Sequence, residues 1–90
     1  LLNNSSYGTI RMHQEKSYPD RVYGTDIENP DYSMIAKAYG IPSYQVNKTE
    51  EFQQSFDKVI KSEKGAIIEI ILDIQSISPH KTLNEIKMKT

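Results

Sequence analysis

The residues best suited to hold a ligand stand at the front of the chain, in the run Asn3-Asn4-Ser5-Ser6. Asn side chains and main-chain carbonyls are neutral oxygen donors of the kind that hard cations accept. Magnesium in particular takes few protein ligands and completes its shell from phosphate or water. The run follows Leu1-Leu2, which reads as the end of an apolar strand. Ligands of open α/β sheets bind outside the carboxyl ends of strands, so the position is right for a site. On spacing alone, Asn-Asn-Ser-Ser is an ordinary turn. Glu69 interrupts an apolar stretch, where the commoner role is to reach a polar neighbour or partner subunit rather than to act as a buried catalytic carboxylate. Arg11 and His13 follow the turn, and their plain readings are a surface salt bridge and a solvent-facing helix residue. The chain has no cysteine, which excludes disulfides, thiolate metal sites and a cysteine nucleophile.

These residues must be positioned by a small framework. Ninety residues suffice for one small domain. A chain of this size buries only about 60–65% of its unfolded surface, so it is marginally stable on its own. The charges nearly cancel, 11 basic against 12 acidic, and give no reason to expect nucleic acid or an anionic membrane as partner. Lys58, Lys61 and Lys64 are interleaved with acids and read as a solvated helix face. The longest apolar run, around Ala66–Leu72, is far too short to span a bilayer. No basic leader or cleavage site opens the chain, and a cytoplasmic location is expected. The chain starts at Leu1-Leu2 with no initiator Met, as though inside a strand, and is expected to have been separated from upstream sequence.

Leu1–Leu2 is expected to end a strand, and Thr9 to about Lys16 to form a short helix with Ile10 and Met12 as its apolar contacts. Residues 17–29 read as a loop, marked by Pro19 and Gly24, and long enough to suggest a functional or interface role. A helix is expected next, with Asn29 as N-cap and Pro30 in its first turn. It would carry Tyr32, Ile35, Ala36 and Tyr39 on one face and stop at Gly40. Ser43–Val46 is a short strand. Thr49 should cap a further helix whose apolar face is Phe52, Phe56, Val59 and Ile60, ending at Lys64-Gly65. Ala66–Leu72 has the composition of a strand covered on both faces. Thr82-Leu83-Asn84-Glu85 matches a capping box that opens a final helix over 82–89, with Ile86 and Met88 inward. The alternation predicts an α/β fold with a mostly parallel sheet between helices, a three-layer arrangement.

Taken together, the motifs resemble a family. Leu2-Asn3-Asn4-Ser5-Ser6-Tyr7-Gly8-Thr9-Ile10-Arg11 is similar to the closing half of the thiamine diphosphate motif, which opens with Gly-Asp-Gly a few dozen residues upstream. The likeness continues through Gly24-Thr25-Asp26, Asn29-Pro30-Asp31-Tyr32 and Ile35-Ala36-Lys37-Ala38-Tyr39-Gly40-Ile41. It ends with Gly65-Ala66-Ile67-Ile68-Glu69-Ile70 and Asp73. In this order the motifs resemble the C-terminal part of thiamine-diphosphate-dependent enzymes of the acetolactate synthase and benzoylformate decarboxylase kind.

The resemblance implies that residues 1–90 are the second half of a thiamine-diphosphate-binding domain. It implies thiamine diphosphate and Mg2+ as cofactors. Asn4 would give its side-chain oxygen and Ser6 its backbone carbonyl to the metal. Tyr7, Gly8 and Thr9 would adjoin the cofactor, Thr9 to Gln14 would line the approach to its reactive ring, and Arg11 and His13 would be the polar substrate contacts. No catalytic residue is carried over. The Gly-Asp-Gly carboxylate is absent from the chain, as is the glutamate that the family supplies from another domain on the facing subunit, so this chain alone is expected to be inactive. Its partners would be the remainder of its own chain, further copies in a dimer or tetramer, and a small 2-oxo acid. The implied reaction is decarboxylation followed by carboligation. Thr9 and His13 stand where anabolic acetolactate synthases have Met and Trp, and Tyr7-Gly8-x-x-Arg11 is similar to the benzoylformate decarboxylase branch. A non-ligating 2-oxo acid decarboxylase therefore remains an alternative, as does an α/β interaction module without catalysis.

Overall fold

The computed structural model describes residues 1–88. Its elements in chain order are β1 (Leu2–Asn3), α1 (Gly8–Ser17), α2 (Tyr32–Tyr39), β2 (Ser43–Val46), α3 (Glu50–Val59), β3 (Ile67–Ile71) and α4 (Leu83–Met88). They fall into two compact units, Leu1–Asn3 with Pro30–Ile71, and Asn4–Asn29 with Leu72–Thr90. Among the described residues, no helix is long and apolar enough to cross a membrane.

The first unit is the α/β part expected from the sequence. β3, the β-branched run, is the central strand of an all-parallel sheet of order β1-β3-β2. Leu2 lies opposite Ile70, and Ser43–Val46 lie opposite Ile67–Ile70 in unbroken register. Parallel neighbours need a crossover, and α3 supplies the one between β2 and β3. α2 and α3 both pack on these two strands, and Ala36 and Val46 are the buried apolar residues there. Glu69 meets polar neighbours on both sides. Its Oε2 accepts from Asn3 Nδ2 at 2.7 Å and its Oε1 from Gln45 Nε2 at 3.0 Å, linking the three strands.

Local signals set the helix ends, with two corrections. Gly40 stops α2 as expected: it adopts φ +71°, and its N–H reaches back to the Ala36 and Lys37 carbonyls. The N-cap of α2 is Asp31 rather than Asn29, and Pro30 precedes the cap. Asp31 has the extended backbone of a cap, φ −73° and ψ 103°, so the first helical residue is Tyr32 rather than Pro30. Asp31 Oδ1 accepts from the Ser33 N–H at 2.9 Å, the Met34 N–H at 3.3 Å and the Ser33 hydroxyl at 2.5 Å. Thr49, in turn, makes no side-chain cap, because its backbone is already helical at φ −52°, ψ −39°. The start of α3 is secured instead by Glu51 Oε1, which accepts from the Asn47 N–H at 3.2 Å. α3 ends at Val59, short of Lys64-Gly65, and Ile60 is exposed.

The Asp31 cap carries a pH dependence. The Ser33 hydroxyl first, then the Met34 N–H, hold its carboxyl below the ordinary value of 3.8. A lowered carboxyl stabilises the fold above its unfolded value, and that contribution is lost as pH falls through the folded value. Amide exchange at Ser33 and Met34 should therefore accelerate once pH drops below about 3.8, after correction for intrinsic rates. Asp31→Ala should show the faster exchange at every pH. Protection that is unchanged in Asp31→Ala would show that the cap is idle.

In the second unit, α1 packs on α4. Leu83 and Ile86 are its buried apolar residues, alongside two polar ones, Glu15 and Thr25. The capping box is only half as expected. The Glu85 N–H donates to Thr82 Oγ1 at 3.2 Å, but the return bond runs from the Thr82 hydroxyl to Glu85 Oε1 at 3.1 Å. Of the final helix expected over 82–89, Leu83–Met88 is helical and Lys89 lies outside the described residues. Ile10 and Met88, expected inward, are exposed, since Glu15 and Ile86 take the inner faces of their helices.

Candidate functional site

The turn after β1 is held from several directions. Ser5 adopts φ +56°, the left-handed backbone that reverses the chain. Asn4 Oδ1 accepts from the Ser6 N–H at 3.1 Å, which fixes the side-chain amide against its own turn. An amide oxygen has two lone pairs, so this bond leaves acceptor capacity on Oδ1. Gly8 gives that amide its room: a Cβ there would stand 3.0 Å from Asn4 Nδ2 and 3.1 Å from Ile77 Cδ1. Any side chain at position 8 would push Asn4 by a few tenths of an ångström.

The loop that follows α1 closes over the same turn. Ser6 and Asp26 form an antiparallel bridge. The Ile27 N–H donates to the Ser5 carbonyl at 2.9 Å, and the Tyr7 N–H donates to the Thr25 carbonyl at 2.9 Å. The Ser6 hydroxyl donates to that Thr25 carbonyl as well, at 3.0 Å. Thr25 is only 3% exposed. Its hydroxyl donates to Gln14 Oε1 at 3.0 Å, while Gln14 Nε2 donates to the Tyr23 carbonyl at 2.9 Å. Sequence reading flagged this loop by its length, yet gave no role to Thr25, because its pairing with Ser6 spans 19 residues.

α1 begins directly after the turn. No side chain caps it, and its first turn carries no acidic residue. The first N–H groups of a helix lack intrahelical acceptors and carry partial positive charge, so they suit an anion. Tyr7, Gly8 and Thr9 stand at this end, where Tyr7 and Thr9 are exposed and Gly8 is half-buried.

Further along α1 the expected polar pair diverges. His13 is exposed. Arg11 is engaged: its Nη1 donates to Asp26 Oδ1 at 3.1 Å, and its Nε lies 3.7 Å from Glu15 Oε1 without a hydrogen-bond partner. Glu15, 1% exposed, also lies 3.9 Å from Lys87 Nζ and accepts from the Asp20 N–H at 3.3 Å. Lys87 in turn pairs with Asp20, and that bond raises its ammonium above the ordinary 10.5. The burial of Glu15 went unseen in the sequence. The Arg11–Glu15 spacing of four residues marks a helical ion pair but not which end of it is inside.

Among the described residues, no group of three His, Cys, Asp or Glu could hold a metal. The oxygens at the turn are neutral, an amide and main-chain carbonyls, which is a donor set for a hard cation with an anionic co-ligand.

Comparison with known proteins identifies the family. Residues 1–70 match the family described as thiamine pyrophosphate enzyme, C-terminal TPP binding domain. The chain is 33% identical over 73 residues to a mitochondrial acetolactate synthase catalytic subunit of Aspergillus candidus, covering 81% of this chain and 10% of the relative. It is 26% identical over 74 residues to the large subunit of acetolactate synthase isozyme 2 of Escherichia coli, covering 81% and 14%. A putative thiamine pyrophosphate-containing protein of Bacillus subtilis is 28% identical over 82 residues, covering 90% and 14%. The chain thus spans between 10% and 14% of the length of these relatives. With more than half of its residues matched by that family, and a parallel α/β sheet to go with it, the chain belongs to the C-terminal thiamine pyrophosphate-binding domain family of thiamine-pyrophosphate-dependent enzymes.

Proposed function

We propose that this chain is the C-terminal part of the cofactor-binding domain of a longer thiamine-diphosphate- and magnesium-dependent enzyme acting on 2-oxo acids, by decarboxylation followed by carboligation. The observation that carries the reading is the Asn4 amide, fixed by the Ser6 N–H and given room by Gly8, beside a helix start that no side chain caps. Asn4 Oδ1 and the Ser6 carbonyl would hold the metal, and the start of α1, at Tyr7, Gly8 and Thr9, would face the diphosphate. When bound, the metal neutralises diphosphate charge and the thiazolium ring supplies the carbanion chemistry. The residues of this chain bind and orient. Two neutral donors give a hard cation little over water, so the remaining ligand would come from the rest of the enzyme, and this chain alone would be inactive. His13, exposed, is the simpler substrate contact, since Arg11 would first have to give up Asp26. Other parts of the longer protein, and further copies of it in a dimer or tetramer, would complete the enzyme, which would act in the cytoplasm.

The second reading is a non-ligating decarboxylase, favoured by Thr9 and His13 in place of the Met and Trp of anabolic acetolactate synthases. Product identification with the full-length protein separates the two, an acetohydroxy acid against an aldehyde.

The metal assignment has its own test in the full-length protein. Asn4→Ala should weaken magnesium binding by about 100-fold, the upper end of what even an outer-shell partner costs. Ser6→Ala should change it by less than about threefold, under 1 kcal/mol, because the proposed ligand is a backbone atom that survives the substitution. Calorimetric titration of magnesium in the presence of thiamine diphosphate reads both. Equal losses at the two positions would overturn the assignment.

A further inference from the structure

We propose that Thr25, held by Gln14, is a positioning residue that sets the direction of the Ser6 carbonyl. The inference rests on the reading above, in which that carbonyl is a metal ligand. It begins with peptide geometry. The Ser6 carbonyl and the Tyr7 N–H belong to one peptide unit, and the described chain has no cis peptide bonds. A trans peptide is planar, so its C=O and N–H point in opposite directions. The Tyr7 N–H is fixed on the Thr25 carbonyl at 2.9 Å, and the Ser6 carbonyl is thereby turned away from the 25–27 strip.

Two further bonds hold the residues around that peptide without themselves setting its plane. The Ser6 hydroxyl donates to the same Thr25 oxygen at 3.0 Å, using its second lone pair. On the other side of Ser6, the Ser5 carbonyl accepts from the Ile27 N–H at 2.9 Å. Rotation of the Ser6–Tyr7 peptide would break the bond from the Tyr7 N–H to the Thr25 carbonyl, and that bond sets the direction of the Ser6 carbonyl.

Thr25 in turn needs an anchor, since a loop residue without one would carry the Ser6 peptide with it. Gln14 supplies it from the second turn of α1, with both ends of one amide: Oε1 accepts from the Thr25 hydroxyl at 3.0 Å, and Nε2 donates to the Tyr23 carbonyl at 2.9 Å. Thr25 is only 3% exposed, so its hydroxyl is shielded from bulk solvent. A backbone ligand cannot be removed by substitution, so its support is where its contribution becomes measurable.

The experiment uses the full-length protein and titrates magnesium calorimetrically with thiamine diphosphate present, alongside thermal melts of the unliganded protein. Thr25→Val keeps the shape and removes the hydroxyl. It should raise the magnesium Kd by about tenfold, the lower end of the loss for a partner that orients a metal ligand. Thr25→Ser restores the hydroxyl and should return the Kd to within about threefold of the parent. Gln14→Met, the second variant if Thr25→Val does not fold, should reproduce the tenfold loss. Asn4→Ala runs in parallel as the reporter of the metal assignment. If Asn4→Ala weakens magnesium binding while Thr25→Val and Gln14→Met lower only the melting temperature, the positioning role is overturned and the assignment stands. If Asn4→Ala leaves magnesium binding unchanged, the assignment fails and the positioning role fails with it.

Discussion

Glu15→Ala should destabilise the second unit by about 2–3 kcal/mol, at or just below the roughly 3–5 kcal/mol cost of breaking a buried ion pair from one side. Glu15 is 1% exposed, and its carboxylate stands among Arg11, Lys87 and the Asp20 N–H. Removing it leaves that N–H without its acceptor and two cations without their shared anion. The loss falls short of the full buried-pair cost because the Arg11 and Lys87 side chains are 22% and 28% exposed and keep Asp26 and Asp20 as partners. Glu15→Gln, which keeps the shape and one acceptor oxygen, should lie between Ala and the parent. Urea denaturation followed by tyrosine fluorescence measures the series. A loss under about 0.5 kcal/mol for Glu15→Ala, the level of an ordinary surface substitution, would show that the network carries no stability. The Lys87 arm should hold throughout the neutral range. A raised ammonium contributes fully below its unfolded value of 10.5 and loses that contribution only as pH climbs through the higher folded value.

That network also marks where sequence reading stops. β2 was legible to the residue, and β3 to within one residue at each end, because a β-branched run between a glycine and a polar turn has few other outcomes. Gly40 as the stop of α2 was legible for a similar local reason, since the left-handed residue after a helix favours glycine. The two misplaced caps show the limit of local signals. Asn29, Asp31 and Thr49 are all good capping residues, and the choice among them depends on backbone angles that the residue type does not dictate. At the site, the turn and its donor types could be read, because they lie within four consecutive residues. Thr25 and Gln14 could not, since their partners lie 19 and 11 residues away and loop pairing leaves no periodic trace. The buried side of α1 departs from the sequence expectation for the opposite reason. The helix has almost no apolar stripe, so residue type points to Ile10 as the inner residue, whereas Glu15 is buried among its charged partners and Ile10 is exposed.

The 90-residue chain, prepared alone, should not behave as a monomer. Its first unit leaves apolar surface uncovered: Leu2 is 70% exposed, and Leu1, Phe52, Phe56, Ile60 and Ile71 are exposed with it. Phe52 and Phe56 stack at a centroid distance of 5.7 Å, forming a continuous aromatic step on α3. Covering such a side chain is worth about 1.5–3 kcal/mol, so a few of them offset much of the entropy of pairing two chains. The sheet adds a second cause. β1 and β2 are its edges, and an edge strand offers backbone groups to any strand that can pair with it. In the proposed full-length enzyme both surfaces would be covered by other parts of the protein. Without them, a second copy is the nearest cover. Sedimentation velocity from 1 to 100 micromolar should show dimers or larger species whose share grows with concentration, by mass action. Phe52→Glu with Phe56→Glu should shift that distribution toward monomer by placing charge on the aromatic step. A single monomeric species across the whole range, melting cooperatively, would show that the chain closes its own core and that these faces need no cover.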